Sequence, residues 1–219
     1  MPLKNSKSQT EILESSRIAL TNVEENLVIK SLMEELGYNT AKIDEGKTIL
    51  NEAKAQFNNN QTLEDTRAKA YKAFDDEKTN IETKYAKDRK KAKIVFKQDT
   101  LVLKELGIKG IIPKSYVKWL ETVNLFYNTL NSQPDILTKL AAIKINQLQV
   151  TEILAELTEL ENLRAAYILA KGNAQNETKT KNIAFKSLDK YMSDFFAVAR
   201  IALELEPQLL EALGKIVKS

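Results

Sequence analysis

The chain is expected to be all-α, a long-helix antiparallel bundle, and three observations predict this. Its 219 residues contain only six glycines and four prolines, too little punctuation for an all-β chain. Hydrophobic residues make up 43% of the sequence and recur mostly at steps of three to five, the spacing of a helix face rather than a strand. The third observation is an internal register. A shift of 107 positions lays Leu13 on Leu120, Ile18 on Leu125, Leu36 on Ile143, Leu50 on Leu157, Ile81 on Leu188 and Ala92 on Ala199. Both halves close on a similar phrase, Lys104-Glu105-Leu106-Gly107 and Glu211-Ala212-Leu213-Gly214.

The first helix is expected to begin at Ser8, where Ser8 and Glu11 form an S-x-x-E capping pair. Ile12, Leu13, Ile18, Ala19, Val23, Leu27, Val28, Leu32 and Met33 continue it as one apolar stripe, interrupted at Gly37. Ile43, Ile49, Leu50, Ala53 and Phe57 resume the helical spacing until Asn58-Asn59-Asn60-Gln61, which reads as a turn. From Thr62 to Gly107 neither proline nor glycine intervenes, predicting a long return helix. Residues 108–114, Ile-Lys-Gly-Ile-Ile-Pro-Lys, read as a linker.

Ser115 is placed to cap a helix through Leu130, and Pro134 to open the next, where its missing N–H costs nothing. A single central helix is expected from Ile136 to about Lys171, apolar over more than half its circumference. The segment 172–178 reads as a second polar turn, followed by a helix towards Glu206 and a last one from Gln208 to Val217. These elements describe two pseudo-symmetric helical hairpin repeats, residues 8–107 and 115–214, within one bundle domain spanning 1–219. A lone hairpin buries too little surface to fold well, whereas two can share one core. Two chains exchanging hairpins would carry the same sequence pattern.

Composition excludes more than it assigns. Lysine plus arginine is 33 and aspartate plus glutamate 30, a net charge of +3 that predicts no strong global field. Without cysteine there is no disulfide framework and no thiolate chemistry, which with the absence of an apolar leader or spanning segment suggests a soluble, cytoplasmic protein. Without histidine, the Glu-x-x-His pairs of di-iron bundles, the usual zinc sites and histidine-assisted nucleophiles are all missing. Glu152, Glu156 and Glu159 share a helix face, but that spacing is common on solvated helices. No enzyme, cofactor, metal site or small-molecule substrate is therefore expected.

Two segments remain as candidate sites. Within residues 84–97, Lys84, Lys87, Arg89, Lys90, Lys91, Lys93 and Lys97 supply seven cations against one anion, Asp88. Such a run suits nucleic acid or an anionic membrane surface, and equally the solvated side of a helix whose other face holds Ile81, Tyr85 and Ala92. Asp88 falls where a heptad count expects an apolar residue: either a drifting stripe, the simpler account, or an inward polar pin. The aromatic residues Tyr116, Trp119, Phe195 and Phe196 are the candidate partner surface, with Trp119 the expected exposed anchor. The leading expectation is a non-enzymatic protein–protein interaction or structural module, acting on an unknown protein partner or a second copy of itself. Binding to anionic surfaces through 84–97 is the alternative.

Overall fold

The computed structural model describes residues 8–215, and among them every regular element is an α-helix. In chain order these are α1 (Gln9–Glu25), α2 (Leu27–Glu35), α3 (Thr40–Val95), α4 (Thr100–Glu105), α5 (Tyr116–Ser132), α6 (Pro134–Ala141), α7 (Gln147–Ala202) and α8 (Leu209–Ala212). The Ser8–Glu11 capping box forms as expected, closing the first turn of α1. Asn26 ends α1 and starts α2, its side chain accepting from Val28 N and Ile29 N. Pro134 opens α6 as the sequence indicates, and Ser115 stands at the N-cap position of α5 but its side chain makes no capping hydrogen bond.

Several expected boundaries are corrected. Asn58-Asn59-Asn60-Gln61 is not a turn: α3 runs through it for 56 residues. Asparagine costs a helix only about 0.7 kcal/mol relative to alanine. Here Asn60 is buried and its amide donates to Thr178 Oγ1 at 3.0 Å, so tertiary contact overrides local preference. The segment 172–178 is likewise helical within α7, its Ala174 fully buried. The expected central helix from 136 to 171 instead breaks at 142–146. Lys144 there adopts φ 61°, and Ile145 N reaches back to Leu140 O, closing α6 as Gly37 (φ 88°) and Tyr38 close α2. The return helix expected to reach Gly107 stops at Val95, with α4 following a short turn. The last helix is the short α8, and the expected end at Val217 lies outside the described residues.

The chain forms two compact units. Among the described residues the first comprises 8–65 and 172–215, and the second 66–171. The first unit packs α1, α2 and the 40–65 part of α3 with the 172–202 part of α7 and with α8. Its core includes Leu20, Ile29, Met33, Leu188, Phe195 and Leu213. Antiparallel pairing of α3 and α7 within it follows from Phe57 on Phe185, Asn60 on Thr178 and Tyr191 on Lys42. The second unit packs α5, α6 and the 147–171 part of α7 with the 66–95 part of α3 and with α4, around Ile81, Tyr85, Phe126, Tyr127, Leu140 and Leu160. Phe74 on Tyr167 and Lys84 on Glu156 give the same antiparallel sense there.

Adding 107 to the bounds of α1 and α3 gives those of α5 and α7. Burial follows the same shift: Ala19, Leu20, Val23, Ile29, Met33, Tyr38, Ile43, Leu50 and Ala53 are buried, and so are Phe126, Tyr127, Leu130, Ile136, Leu140, Ile145, Val150, Leu157 and Leu160. The Asn22 amide donates to Ala212 O in the first unit, and the Thr129 hydroxyl donates to Glu105 O in the second.

Candidate functional site

The basic run lies on α3 in the second unit and does not present a uniform face. Helical spacing brings Lys84, Lys87, Asp88 and Lys91 onto one side, where with Gln149, Glu152 and Ile153 of α7 they line a cavity of about 240 Å³. Asp88 points inward, correcting the preference for a drifting stripe. Its side chain is only 13% exposed, and its carboxylate accepts from the Tyr127 hydroxyl at 3.1 Å and from Lys91 Nζ at 3.3 Å. Lys91 Nζ also donates to Lys144 O. Lys84 is ion-paired with Glu156.

Arg89 points elsewhere, donating to the carbonyls of Ile108 and Gly110 and so holding the chain between α4 and α5 against α3. Among the described residues, Lys87, Lys90, Lys93 and Lys97 form no ion pair. The Lys93 ammonium is held below its usual pKa, chiefly by burial and then by the Arg89 charge. Burial also raises the Tyr85 and Tyr127 hydroxyls above the usual phenol range, most at Tyr127, where the neighbouring Asp88 carboxylate adds to the effect. The Tyr127 hydroxyl donates to Asp88, whereas the buried Tyr85 hydroxyl has no hydrogen-bond partner among the described residues.

The four aromatic candidates separate. Trp119 is 2% exposed and Phe195 wholly buried, each within the core of its unit, so neither is the surface anchor expected of it. The reason is width: the apolar arcs facing these helices are broad enough to need an aromatic residue on more than one side. Tyr116 and Phe196 are half-buried. Lys215 Nζ sits 4.1 Å from the Phe196 ring centre.

Tyr116 belongs to an arrangement that the sequence does not single out. The Arg164 guanidinium stacks 3.8 Å from its ring centre, and Phe74 and Trp119 pack against it. Tyr116 and Arg164, together with Leu120, Glu161, Ala165, Ile168 and Leu169, line an open groove of about 560 Å³. Ile168 is 53% and Leu169 67% exposed. The available signal was Tyr167-Ile168-Leu169 itself, three consecutive large apolar residues that cannot all face one core.

Among the described residues no group of three or more acidic side chains gathers as a metal would require. No helix among them is long and apolar enough to cross a membrane. No family model, curated protein or solved structure matches the chain.

Proposed function

We propose that this chain is a non-enzymatic helical-bundle interaction module that works in the cytoplasm and engages a protein partner, or a second copy of itself, through the Tyr116–Leu169 groove. One observation carries the reading: Ile168 and Leu169 stand exposed beside an arginine–tyrosine stack that is already ordered by Phe74 and Trp119. Preordered aromatic and arginine groups next to uncovered aliphatic side chains are what binding hot spots are made of. The frame is read as a duplication of one helical unit in the 107-residue register, supported by matching helix bounds and matching buried positions.

The test compares the parent with Ile168→Glu/Leu169→Glu, scoring self-association by sedimentation and partner retention on the immobilised protein under high salt. Loss of association in the variant, with unchanged helicity, is the expected result. Association that is indifferent to both substitutions would remove the groove from consideration.

A second reading has its own support. Lys87, Lys90, Lys93 and Lys97 are left without ion pairs among the described residues, which suits contact with nucleic acid or an anionic membrane surface. Replacing these four by glutamine should abolish a salt-sensitive association and leave a salt-resistant one intact.

A further inference from the structure

Each compact unit takes its opening helices from one half of the chain and its return helix from the other. In the first unit α1, α2 and residues 40–65 receive residues 172–202, and in the second α5, α6 and residues 147–171 receive residues 66–95. The 107-residue register allows the two contacts to be compared position by position, and they differ in a matched way. In the first unit the opening surface is small and the return helix large. Leu20 and Phe195 lie buried in the same core, and Gly46 is met by Tyr191, whose ring lies directly over it with its hydroxyl donating to Lys42 O at 2.6 Å.

In the second unit the sizes and polarities reverse. Tyr127 and Ile153 occupy the positions of Leu20 and Gly46, while Asp88 and Lys84 occupy those of Phe195 and Tyr191. The Tyr127 hydroxyl donates to Asp88 at 3.1 Å, and Lys84 turns to Glu156. Exchanging the partners would set Tyr191 against Ile153, where the space over Gly46 is gone. It would also set Asp88 against Leu20, which has no hydroxyl to give.

We infer that the opening helices of each half form a docking surface written for the return helix of the other half, with Leu20–Phe195 and Tyr127–Asp88 as the matched pairs that tell the two apart. Core positions that stay buried in both units thus differ in kind because they select a partner, by size in one unit and by a buried hydrogen bond in the other. The inference rests on the duplication reading and uses no exposed groove, so its failure would leave the interaction reading where it stands.

A double-substitution cycle in the full chain tests it. Asp88→Phe alone puts a phenyl ring against Tyr127, and Tyr127→Leu alone leaves the Asp88 carboxylate without its hydroxyl donor. Together they copy the Phe195–Leu20 pair into the second unit. Urea unfolding of the parent, both singles and the double should show the two substitutions coupled, with the double unfolding about tenfold or more less readily than additive effects allow. A double that folds when a single does not is the same result in stronger form. Additive effects, or a double that fails to fold, would overturn the pairing.

Discussion

Gly46 and Gly172 both lie inside long helices, and replacing each by alanine should move stability in opposite directions. In an exposed helix interior the exchange is worth about 1 kcal/mol in favour of alanine. Gly172 meets that condition, since a Cβ there has no neighbour within 4 Å. At Gly46 a Cβ would fall inside contact distance of the Tyr191 ring and 2.6 Å from its hydroxyl oxygen. The ring is held by its bond to Lys42 O and by edge contact with Tyr38, which in turn packs on Phe195. Displacing it costs the hydrogen bond, about 1 kcal/mol, and overpacking strain of about 1–3 kcal/mol. The helix gain offsets part of this, leaving Gly46→Ala about 2 kcal/mol less stable than the parent and Gly172→Ala about 1 kcal/mol more stable. Urea unfolding followed by far-ultraviolet circular dichroism reads both. In a Tyr191→Ala background the Gly46→Ala step should become stabilising, because the obstacle is gone. Equal stabilisation at both sites in the parent would refute the account of Tyr191 and with it the fit of the first unit.

Three further outcomes follow from particular residues. Lys144 holds φ 61° where its counterpart is Gly37, so Lys144→Gly should stabilise by about 1 kcal/mol in thermal or urea unfolding, and a loss would mean the lysine backbone is not strained. Asn60→Ala should cost about 1 kcal/mol by breaking the bond to Thr178, whereas the exposed Asn59→Ala should gain up to about 0.7 kcal/mol. Equal effects would show that α3 is not continuous there. Tyr191 has its pKa raised chiefly by burial, so the neutral form is favoured in the folded state. Below pH 10 it is protonated folded or unfolded, so its stabilisation is fully present and adds no pH dependence. Above pH 10 the unfolded state ionises first, so stability falls by about 1.4 kcal/mol per pH unit. Tyr191→Phe should be about 1 kcal/mol weaker at neutral pH and lose less on raising the pH, overtaking the parent roughly one unit above pH 10. A parallel decline of both proteins would contradict this.

The helix class, the cap at Ser8, the breaks at Gly37 and Gly107 and the opening of α6 at Pro134 rest on local chemistry, and local chemistry is legible in a sequence; the break at Asn26 is hidden because the apolar stripe runs across it. The segments at 58–61 and 172–178 were misread because their asparagines and glycine carry weak penalties that a packed neighbour outweighs, and Asn60 and Ala174 meet such neighbours. Lys144 hid a chain reversal because lysine carries no turn signal of its own. At the candidate sites, composition marked the basic run but could not divide it. Whether Arg89 faces phosphate or the carbonyls of Ile108 and Gly110 depends on a chain segment some twenty residues away. Trp119 is expected outside because aromatic residues near boundaries often anchor partners, yet it packs into a core where Tyr85, Phe96, Phe126 and Tyr127 are buried among aliphatic side chains.

The 107-residue register, readable before any coordinate, gains a different meaning once the long helices are continuous. With turns at 58–61 and 172–178, each half would fold back on itself and bury its own return helix. Because α3 and α7 instead pass through those segments, each half must find its return helix elsewhere, and two halves built on one register then risk accepting the wrong one. Nearly identical cores would make that error cheap, since a buried aliphatic contact scarcely distinguishes leucine from isoleucine. A carboxylate placed at 88 against a hydroxyl at 127, and a glycine at 46 beneath a tyrosine at 191, make it expensive: one wrong pairing leaves a charge buried without its donor, and the other drives a ring into Ile153. The basic run then follows as a consequence of the same position. Asp88 takes Lys91 at 3.3 Å beside it as well as the Tyr127 hydroxyl, and Lys84 pairs with Glu156. Part of what looks in the sequence like a surface for phosphate is therefore the charge balance of a core contact, and only Lys87, Lys90, Lys93 and Lys97 remain to be explained by a partner.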